Sequence, residues 1–509
     1  MLGKVLGVSI QGIEGYLCQV EVDVRDGLPA VVTVGLPDAA VKESKDRVAT
    51  ALRNSGYQWP NEHVTINLAP ADVKKEGPSF DLPIALGILS STGQMLSDKL
   101  RRFAAIGELA LDGSVRSVRG ALSMAMACRD EGLAGLLLPA DNAAEAAVVQ
   151  EIEVYPVANL AQAVGFLTGE LDLEPTAVDL DAAFESARRD DVDFGDVKGQ
   201  EHAKRALTIA AAGAHNVLML GPPGAGKTML ARRLPTILPL LTLNESLETT
   251  RIYSSIGLIR KGRSLIAARP FRAPHHTISD AGLVGGGTFP APGEVSLSHH
   301  GVLFLDELPE FKRHTLEVLR QPLEDGTVTI ARAQASLTFP AKIMLIAALN
   351  PCPCGYFTDP RHECHCTPRQ IQQYMSKISG PLLDRIDLHL EVPAVPYREL
   401  RGGDGTTSAE MREQVERARS AQRRRFGDSG LITNSCMSHR MVKKFCRLDP
   451  AGEILLKQAM SELGLSARAH DKILRAARTI ADLEGEENIS PVHLAEAVQY
   501  RRLDRNLFA

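Results

Sequence analysis

The segment Gly221–Thr228 constrains this chain more than any other part of the sequence. It matches the spacing G-x-x-x-x-G-K-[ST]. An apolar run at 216–220 precedes it and a helical pattern at 229–234 follows it, which is the strand–loop–helix context of a phosphate-binding loop. The motif therefore predicts a nucleoside triphosphate site in an α/β domain. The predicted nucleotide-binding residues are Gly221, Pro222, Pro223, Gly224, Ala225, Gly226, Lys227 and Thr228.

Each part of this loop has a physical reason to bind phosphate. Glycine lets the backbone turn tightly enough for successive N–H groups to surround the β-phosphate, and the helix N-terminus adds partial positive charge. Lys227 is predicted to reach the β- and γ-phosphates, and the Thr228 hydroxyl to ligate Mg²⁺. ATP and Mg²⁺ are therefore the expected cofactors.

Two further apolar runs end in polar residues. The run at 301–305 ends in Asp306 and Glu307, the pattern of a Walker-B strand. Asp306 would hold Mg²⁺ through water, and Glu307 would polarise the attacking water. The run at 343–349 ends in Asn350, placed like a sensor residue that orients this water, although an Asn capping the next turn is the alternative. Together with the loop, these residues predict hydrolysis.

Length and composition indicate an ordinary globular protein. The 509 residues are enough for about three domains. The net charge of −5 gives no global attraction to nucleic acid, so any such binding needs a local basic surface. The N-terminus is too short in apolar residues for a signal peptide, and no apolar run is long enough to span a membrane. A cytoplasmic protein without membrane partners is expected.

The predicted domains are an N-terminal domain at 1–168, an acidic linker at 169–193, an ATPase core at 194–390 and a helical domain at 391–509. Within the first, the segment 75–85 resembles the catalytic serine region of Lon-type peptidases, and 107–120 resembles later strands of that domain. The resemblance implies an α+β domain of the ribosomal protein S5 domain 2-like type. Leu122 stands where that family carries its lysine, so Ser79 has no visible base. A Lon-like fold without peptidase activity is expected.

Four cysteines cluster after Asn350: Cys352, Cys354, Cys364 and Cys366. Two close-spaced pairs of thiolates on one loop suit tetrahedral Zn²⁺, with four protein ligands closing the shell to catalytic water. His362 and His365 are alternative ligands. Four free thiols and redox chemistry remain as other interpretations of the cluster.

Two segments in the C-terminal half supply an arginine each, Arg385 within 382–388 and Arg468 within 466–470. A planar guanidinium suits the charge that develops on the γ-phosphate oxygens. If Arg385 acts on a neighbouring subunit's nucleotide, the protein must form a ring or helical oligomer. Surface salt bridges are the alternative for both.

The C-terminal domain is predicted to be a helical bundle. Thr407 and Glu410 form a capping box for a basic helix at 409–426, whose charge suggests a solvated face or a contact with DNA or another subunit. Asp449, Ser466 and Ser490 are predicted to cap the next three helices. The bundle fits an AAA+ lid, in which Arg468 would couple the nucleotide state to the lid angle.

The whole set resembles the AAA+ ATPases, and more narrowly the magnesium-chelatase-like family called ComM or YifB. The resemblance covers nearly the full chain and is carried by the segments 221–231, 269–277, 292–311, 350–356, 382–389 and 466–483. It implies a hexameric DNA helicase that promotes branch migration during homologous recombination in natural transformation, with recombination proteins as partners. The rival functions are a chelatase motor acting on a tetrapyrrole system, a non-enzymatic scaffold and a Lon-like peptidase.

Two insertions are the candidate DNA contacts. In the chelatase branch of AAA+ proteins an insertion at 269–298 enters the ring's pore, and here it carries Arg272, His275 and His276. The second, 327–339, is predicted to be a β-hairpin with Arg332 near its tip. Copies of one arginine around a ring would grip phosphates in a salt-sensitive way. The alternative is that both insertions only pack subunits together.

Overall fold

The computed structural model describes residues 2–75, 77–187, 191–260, 262–287, 290–332, 336–357, 359, 361–396, 399, 405–427, 433–501 and 503. The chain divides into two compact units. The first comprises Met1–Ala187 with Thr242–Ala267, and the second comprises Arg188–Leu241 with Ala268–Ala509. This division differs from the predicted ranges, because the segment after the phosphate-loop helix folds with the N-terminal part of the chain.

The first unit is built on a seven-stranded mixed sheet of order β3-β4-β2-β1-β5-β8-β9. Alternation of apolar and polar residues makes these strands, as in β4, where Val64, Ile66 and Leu68 are buried. A short hairpin, β6–β7, stands beside the sheet. The strands are β1 Gly3–Gln11, β2 Glu14–Arg25, β3 Ala30–Val34, β4 His63–Ala69, β5 Phe103–Ala105, β6 Glu108–Leu109, β7 Val115–Arg116, β8 Gly135–Pro139 and β9 Glu153–Val157.

The helices of the first unit cover the sheet. The helix Asp81–Ser91 is the most apolar and lies almost wholly within the core. The helices are Ala39–Asn54, Asp81–Ser91, Ala121–Asp130, Ala140–Ala146, Leu160–Thr168, Leu180–Ser186 and Leu243–Ser255, with 3₁₀ turns at Pro78–Phe80 and Asp98–Arg101.

The predicted acidic linker contains a short helix. Asp179 caps Leu180–Ser186 by accepting a hydrogen bond from the Ala182 N–H. Val178, Leu180 and Phe184 are partly buried against the core of the first unit. Up to residue 187 this segment is therefore part of that unit, which differs from the predicted solvated linker.

The second unit is built on a fully parallel five-stranded sheet of order β11-β14-β17-β10-β18. Its three central strands are wholly buried because helices cover both faces of a parallel sheet. Two hairpins, β12–β13 and β15–β16, extend from it. The strands are β10 Val217–Leu220, β11 Phe271–Arg272, β12 Gly285–Gly286, β13 Ala291–Pro292, β14 Val302–Leu305, β15 Thr327–Ala331, β16 Ser336–Pro340, β17 Met344–Leu349 and β18 Leu388–Glu391.

The helices of the second unit fall into those around the sheet and a C-terminal bundle. The former are Glu201–Gly213, Lys227–Ile237, Asp280–Val284, Glu294–Leu297, Arg313–Glu317, Arg320–Asp325, Pro368–Met375 and Gly380–Leu383, with 3₁₀ turns at Phe194–Asp196 and Leu308–Glu310. The bundle helices are Ser408–Phe426, His439–Phe445, Pro450–Leu463, Ala467–Glu484 and Pro491–Gln499, with a 3₁₀ turn at Asn434–Cys436. The bundle shares one apolar core with the sheet and its helices.

The basic helix Ser408–Phe426 directs part of its charge inward. Arg419 is buried and donates from Nη2 to the Ala211 carbonyl at 2.7 Å, and Gln422 donates to the Ala212 carbonyl at 3.1 Å. Arg425 forms an ion pair with buried Asp482. This helix is therefore fastened to the helix Glu201–Gly213 by its polar face as well as by its apolar one. Among the described helices, none is both long and apolar enough to cross a bilayer.

Candidate nucleotide site

The parallel topology gathers the predicted site residues at one sheet edge. Strands β14, β17 and β10 are neighbours, and the carboxyl ends of parallel strands meet at the same edge. The phosphate loop follows β10, Asp306 and Glu307 follow β14, and Asn350 follows β17. Residues far apart in the chain thus become close neighbours.

The phosphate loop adopts the backbone conformation that its glycines allow. Gly224 and Gly226 have φ values of 76° and 89°, in the left-handed region that favours glycine. The helix Lys227–Ile237 begins directly after Gly226. Its first N–H groups have no intrahelical partner and remain to bind an anion.

Lys227 lies folded back into the loop. Its Nζ donates to the carbonyls of Gly221 at 2.6 Å and Pro222 at 2.9 Å, and to Oδ1 of Asn350 at 3.1 Å. Burial lowers the pKa of this lysine to about 8, against the opposing attraction of Asp306 and Glu307. A cation held this way favours an anionic ligand, because a phosphate would compensate the cost of its burial.

Thr228 and Asp306 supply a site for a hard cation. The Thr228 hydroxyl donates to Oδ2 of Asp306 at 2.6 Å. A hydroxyl and a carboxylate at this separation match the oxygen ligands that Mg²⁺ takes beside a nucleotide. These two residues would hold the ion, which would supply positive charge beside the phosphates.

Glu307 stands at the edge of this cluster and is engaged by a residue that the sequence analysis assigned elsewhere. Its backbone has φ 53°, and its side chain is about half exposed. Nδ1 of His276 lies 3.3 Å from its Oε2. The parallel pairing of β11 with β14 explains the contact, because the chain leaving β11 runs beside the chain leaving β14. No local signal distinguishes this role from the predicted DNA contact.

The two predicted arginines, Arg385 and Arg468, lie in the same region of the structure. Arg385, with only 10% of its side chain exposed, forms an ion pair with Glu324 and donates to the Pro381 carbonyl at 2.5 Å. Nη1 of Arg468 lies 3.8 Å from Oδ2 of Asp384, the residue before Arg385. Salt bridges, the alternative reading for both, are thus present in the protomer, and Arg468 remains largely exposed.

The two predicted insertions pack against each other. The hairpin predicted at 327–339 is β15–β16, and its Ile330 lies against Gly285. The guanidinium of exposed Arg332 lies beside Gly286, 3.4 Å from where a Cβ would stand. Residues 333–335 of the predicted tip and residues 288–289 lie outside the described part of the chain.

Arg272 and His275 are the other two predicted DNA contacts of the first insertion. They differ because one is engaged in an ion pair and the other is exposed. Arg272 forms a bidentate ion pair with Glu294, with both N–O distances at 2.6 Å. His275 is exposed and its Nδ1 lies 2.9 Å from the Thr277 hydroxyl. The insertion therefore offers His275 at its surface, while Arg272 holds the insertion's own fold.

The four cysteines form one cluster. Their sulfur atoms all lie within 4.8 Å of one another, and Sγ of Cys352 is 3.2 Å from that of Cys354 and 3.7 Å from that of Cys364. A tetrahedral Zn²⁺ with Zn–S bonds of about 2.3 Å separates its sulfurs by roughly 3.8 Å. The donor set and its spacing therefore fit zinc. His362 instead places Nδ1 at 3.0 Å from Oδ2 of Asp359.

Ser79, the serine that the resemblance to Lon-type peptidases singled out, lies in a buried environment of the first unit. Ser79 is 5% exposed and Leu122 is fully buried. The nearby Lys75 is also fully buried, and its Nζ donates to the Val73 carbonyl at 2.7 Å.

A glycine-rich phosphate loop on a fully parallel sheet, facing acidic residues at the next strand ends, defines a P-loop nucleotide-binding protein of the AAA+ type. Family models confirm this class. "Magnesium chelatase, subunit ChlI" matches residues 193–400, "Subunit ChlI of Mg-chelatase" matches 20–142, and "Magnesium chelatase, subunit ChlI C-terminal" matches 405–501. This family is ATPase-like and typically oligomeric.

Full-length relatives identify the branch of the family. The chain is 44% identical to "Competence protein ComM" of Haemophilus influenzae over 99% of this chain and 98% of the relative. It is 43% identical to "Uncharacterized protein YifB" of Salmonella typhimurium over 97% and 96%. The chain belongs to the ComM/YifB family of magnesium-chelatase-like proteins, as its sequence motifs predicted.

The chelatase subunits themselves are more distant. "Magnesium-chelatase subunit ChlI, chloroplastic" of Nicotiana tabacum is 22% identical over 62% of this chain and 74% of the relative. The rival function of a chelatase motor is therefore not favoured.

Proposed function

We propose that this protein is an ATP-driven DNA motor, a hexameric helicase or translocase that promotes branch migration during homologous recombination in natural transformation. The observation that carries the proposal is the cluster of Lys227, Thr228, Asp306 and Asn350 at one sheet edge. The competence protein similar over the full length supports the link to transforming DNA.

Hydrolysis follows from the positions of these side chains. Lys227 would exchange its backbone carbonyl partners for the phosphates, and Thr228 and Asp306 would hold the Mg²⁺ that neutralises phosphate charge. Glu307, released from His276, polarises water toward the γ-phosphate, and Asn350 orients that water. The site thereby positions water and stabilises the charge of the transition state, which is most of what phosphoryl transfer needs.

Two arginines, Arg385 and Arg468, make the proposed nucleotide site one that two subunits share. Arg385 serves the nucleotide of the adjacent subunit, for which it must leave Glu324, and Arg468 reports the state of the nucleotide to the bundle. A guanidinium added in this way is worth about 10³–10⁵ in the hydrolysis rate. Six protomers in a ring place every arginine at a neighbour's phosphate, because a closed heterologous interface repeats one contact.

DNA contact is assigned to the packed insertions. Arg332, with His275 on the neighbouring insertion, would face the DNA backbone in the ring. Arg272 would support this insertion through its ion pair with Glu294. A motor needs phosphate contacts rather than base-edge contacts, because it must pass every sequence. The contact between Ile330 and Gly285 ties both insertions together, so that they move as one element.

The remaining assignments complete the proposal. Zn²⁺ binds Cys352, Cys354, Cys364 and Cys366 as a structural ion. The N-terminal unit is a Lon-like domain used for partner contact, with recombination proteins as its partners. Because the substrate is incoming DNA at the stage of recombination, the protein acts in the cytoplasm.

One variant separates DNA movement from ATP hydrolysis. Arg332→Ala should reduce branch migration of a synthetic Holliday junction at least tenfold and lower the salt dependence of DNA binding, since each lost phosphate contact reduces the slope by about one. Its ATP turnover without DNA should equal that of the unaltered protein. Arg440→Ala, an exposed arginine of the bundle, is the matched control.

Wild-type protein provides the decisive comparison. ATP turnover should rise on addition of branched or single-stranded DNA. ATP turnover that does not change when DNA is added, with no branch migration of the junction, would contradict the DNA motor. It would indicate that the protein acts on a partner other than nucleic acid.

A further inference from the structure

The loop that carries the four cysteines lies beside the phosphate loop in three places, through two contacts and one shared cavity. Residues 351–366 contain no helix or strand among the described positions, so the fold of the loop depends on other ties. Its cysteines supply such a tie. The three places where the two loops meet determine how this tie affects the nucleotide site.

The first contact is at the start of the cysteine loop. Asn350 stands two residues before buried Cys352, and its Oδ1 accepts the hydrogen bond from Nζ of Lys227 at 3.1 Å. A shift of the cysteine loop would therefore move a partner of the phosphate-binding lysine.

The second contact is a direct approach of backbone to a ring. Gly355 has φ 88°, and a Cβ there would lie 2.6 Å from Cδ and 2.8 Å from Cγ of Pro223. Gly355 is also held by a hydrogen bond from its N–H to the Cys352 carbonyl at 3.0 Å. Only glycine admits this approach, so the cysteine turn and the phosphate loop lie in van der Waals contact.

In the third place the two loops line one small cavity. A volume of about 190 Å³ is lined by Asp359 and Arg361 of the cysteine loop, by Pro222 of the phosphate loop, and by Val392 and Pro393 after β18. The Nε2 of Gln200 donates to the Pro393 carbonyl at 2.6 Å, which fixes the far wall. The cysteine loop thus flanks the phosphate loop on a second side.

We infer that the cysteine loop, closed by one thiophilic divalent cation such as Zn²⁺, is a brace for the phosphate loop, so that metal occupancy sets the affinity for nucleotide. The inference rests on the proposed function in one respect, that the phosphate loop binds ATP. Four thiolates hold the loop in one conformation, and that conformation presents Asn350 to Lys227 and Gly355 to Pro223. Loss of the metal releases a loop without regular structure beside the nucleotide.

The test measures metal content and nucleotide affinity without DNA. Freshly purified protein should contain one Zn²⁺ per chain and bind a fluorescent ATP analogue. The double variant Cys364→Ser, Cys366→Ser removes the two ligands that follow Gly355 in the chain and leaves Cys352 and Cys354 in place. It should contain no zinc and bind the analogue about tenfold more weakly, since small displacements of positioning groups have effects of this size. Cys436→Ser, an exposed cysteine of the bundle, should behave as the unaltered protein.

A second variant removes the brace and keeps the metal. Gly355→Ala should retain its zinc and bind the analogue about as weakly as the double cysteine variant, because the new methyl group separates the two loops. Gly464→Ala is the matched control, since its φ of 60° imposes similar backbone strain where nothing lies within 4 Å.

The outcomes distinguish this inference from the proposed function. Equal nucleotide affinity with and without the metal, or protein that neither contains nor takes up a divalent metal, would overturn the brace. In wild-type protein stripped with a chelator, affinity should return when Zn²⁺ is restored, which a misfolded variant cannot imitate. Protein that holds zinc but binds no nucleotide would instead overturn the proposed function.

Discussion

The two units contain similar turns into a helix but very different surroundings for them. Gly77 leads into the 3₁₀ turn of Ser79 with φ 82°, and Gly226 leads into the helix of Lys227 with φ 89°. Around Ser79 the polar groups are buried within one mixed sheet and its helices, and Lys75 donates to a backbone carbonyl. Around Lys227, three parallel strands end together and each contributes a polar side chain.

This difference teaches that the turn alone does not make a reactive site. A glycine with positive φ precedes the helical turn in both places. Chemistry requires side chains that converge on the same point, and a parallel sheet provides this because its strand ends share one edge. At Ser79 a strand with parallel neighbours also ends nearby, since the Gly107 N–H just after β5 donates to the Ser79 carbonyl at 3.0 Å. There, however, Lys75 donates to the Val73 carbonyl, and Leu122 stands in the position predicted for a lysine.

The largest expected effect is at the converging strand ends. Glu307→Gln should lower ATP turnover at least about 100-fold, because the amide cannot accept the proton of the attacking water. Nucleotide affinity should remain within about twofold, since Lys227 and the loop are unaltered. Glu310→Gln, an exposed glutamate three residues on, should leave turnover unchanged. Normal ATP turnover in Glu307→Gln would show that the side chains at these strand ends do not carry hydrolysis, and it would contradict the contrast between the two units.

A second effect concerns the stability of the second unit. Buried Asp387 lies 2.9 Å from Nζ of Lys472 and accepts from the Asn216 N–H at 3.0 Å. Burial opposes ionisation of this carboxyl, but Lys472 and His215 hold its pKa well below the usual range. Asp387→Ala should therefore destabilise the unit by about 3–5 kcal/mol, because a buried cation loses its partner.

The unfolding experiment has an internal reference. Glu317→Ala breaks the more exposed pair with Arg320 and should cost less than about 1 kcal/mol in the same denaturant titration. Equal costs for both variants would show that the buried network does not stabilise the unit.

A smaller effect is expected at His276. This residue contacts Glu307 after β14, so its substitution tests whether a neighbour of the converging strand ends also affects hydrolysis. His276→Ala should raise the turnover number by up to about tenfold, because Glu307 is already released in this variant, and leave KM for ATP unchanged. His275→Ala should leave turnover without DNA unchanged. Loss of DNA affinity with normal turnover in His276→Ala would return this residue to DNA contact.

The smallest effect is expected in the first unit. Ser79→Ala should leave ATP turnover unaltered and alter stability by at most about 1 kcal/mol, the value of one hydrogen bond. The unaltered protein should cleave no unfolded substrate such as casein. Cleavage that disappears in Ser79→Ala would show a second active site and end the contrast between the units.

The sequence predicts those parts of the fold that local signals determine. The phosphate loop, the β14 strand and the hairpin β15–β16 lie where the patterns placed them. Caps are equally local, and the capping box of Thr407 with Glu410 is present. The family is confirmed by its relatives, whereas the roles of the individual site residues stay predictions.

Long-range contacts could not be predicted. The helix Leu243–Ser255 carries its own capping box, but its place in the first unit depends on Arg251 donating to the Ile13 carbonyl at 3.0 Å, more than 200 residues away. The contact of His276 with Glu307 and that of Gly355 with Pro223 arise in the same way. Neither periodicity nor spacing encodes such meetings, because they depend on how finished elements pack.

The helix Ala467–Glu484 has a mechanical consequence for the proposed motor. Arg468 stands at its first turn, Lys472 is paired with Asp387 one turn later, and Thr479 lies 2.8 Å from Nε2 of His215 further on. The helix is thus held at two points to residues that precede β10 and β18, two strands of the sheet that carries the predicted nucleotide site. In the proposed motor, a swing of the bundle relative to the sheet must therefore break the pair of Lys472 with Asp387 or the contact of Thr479 with His215, and otherwise the bundle and the sheet move together.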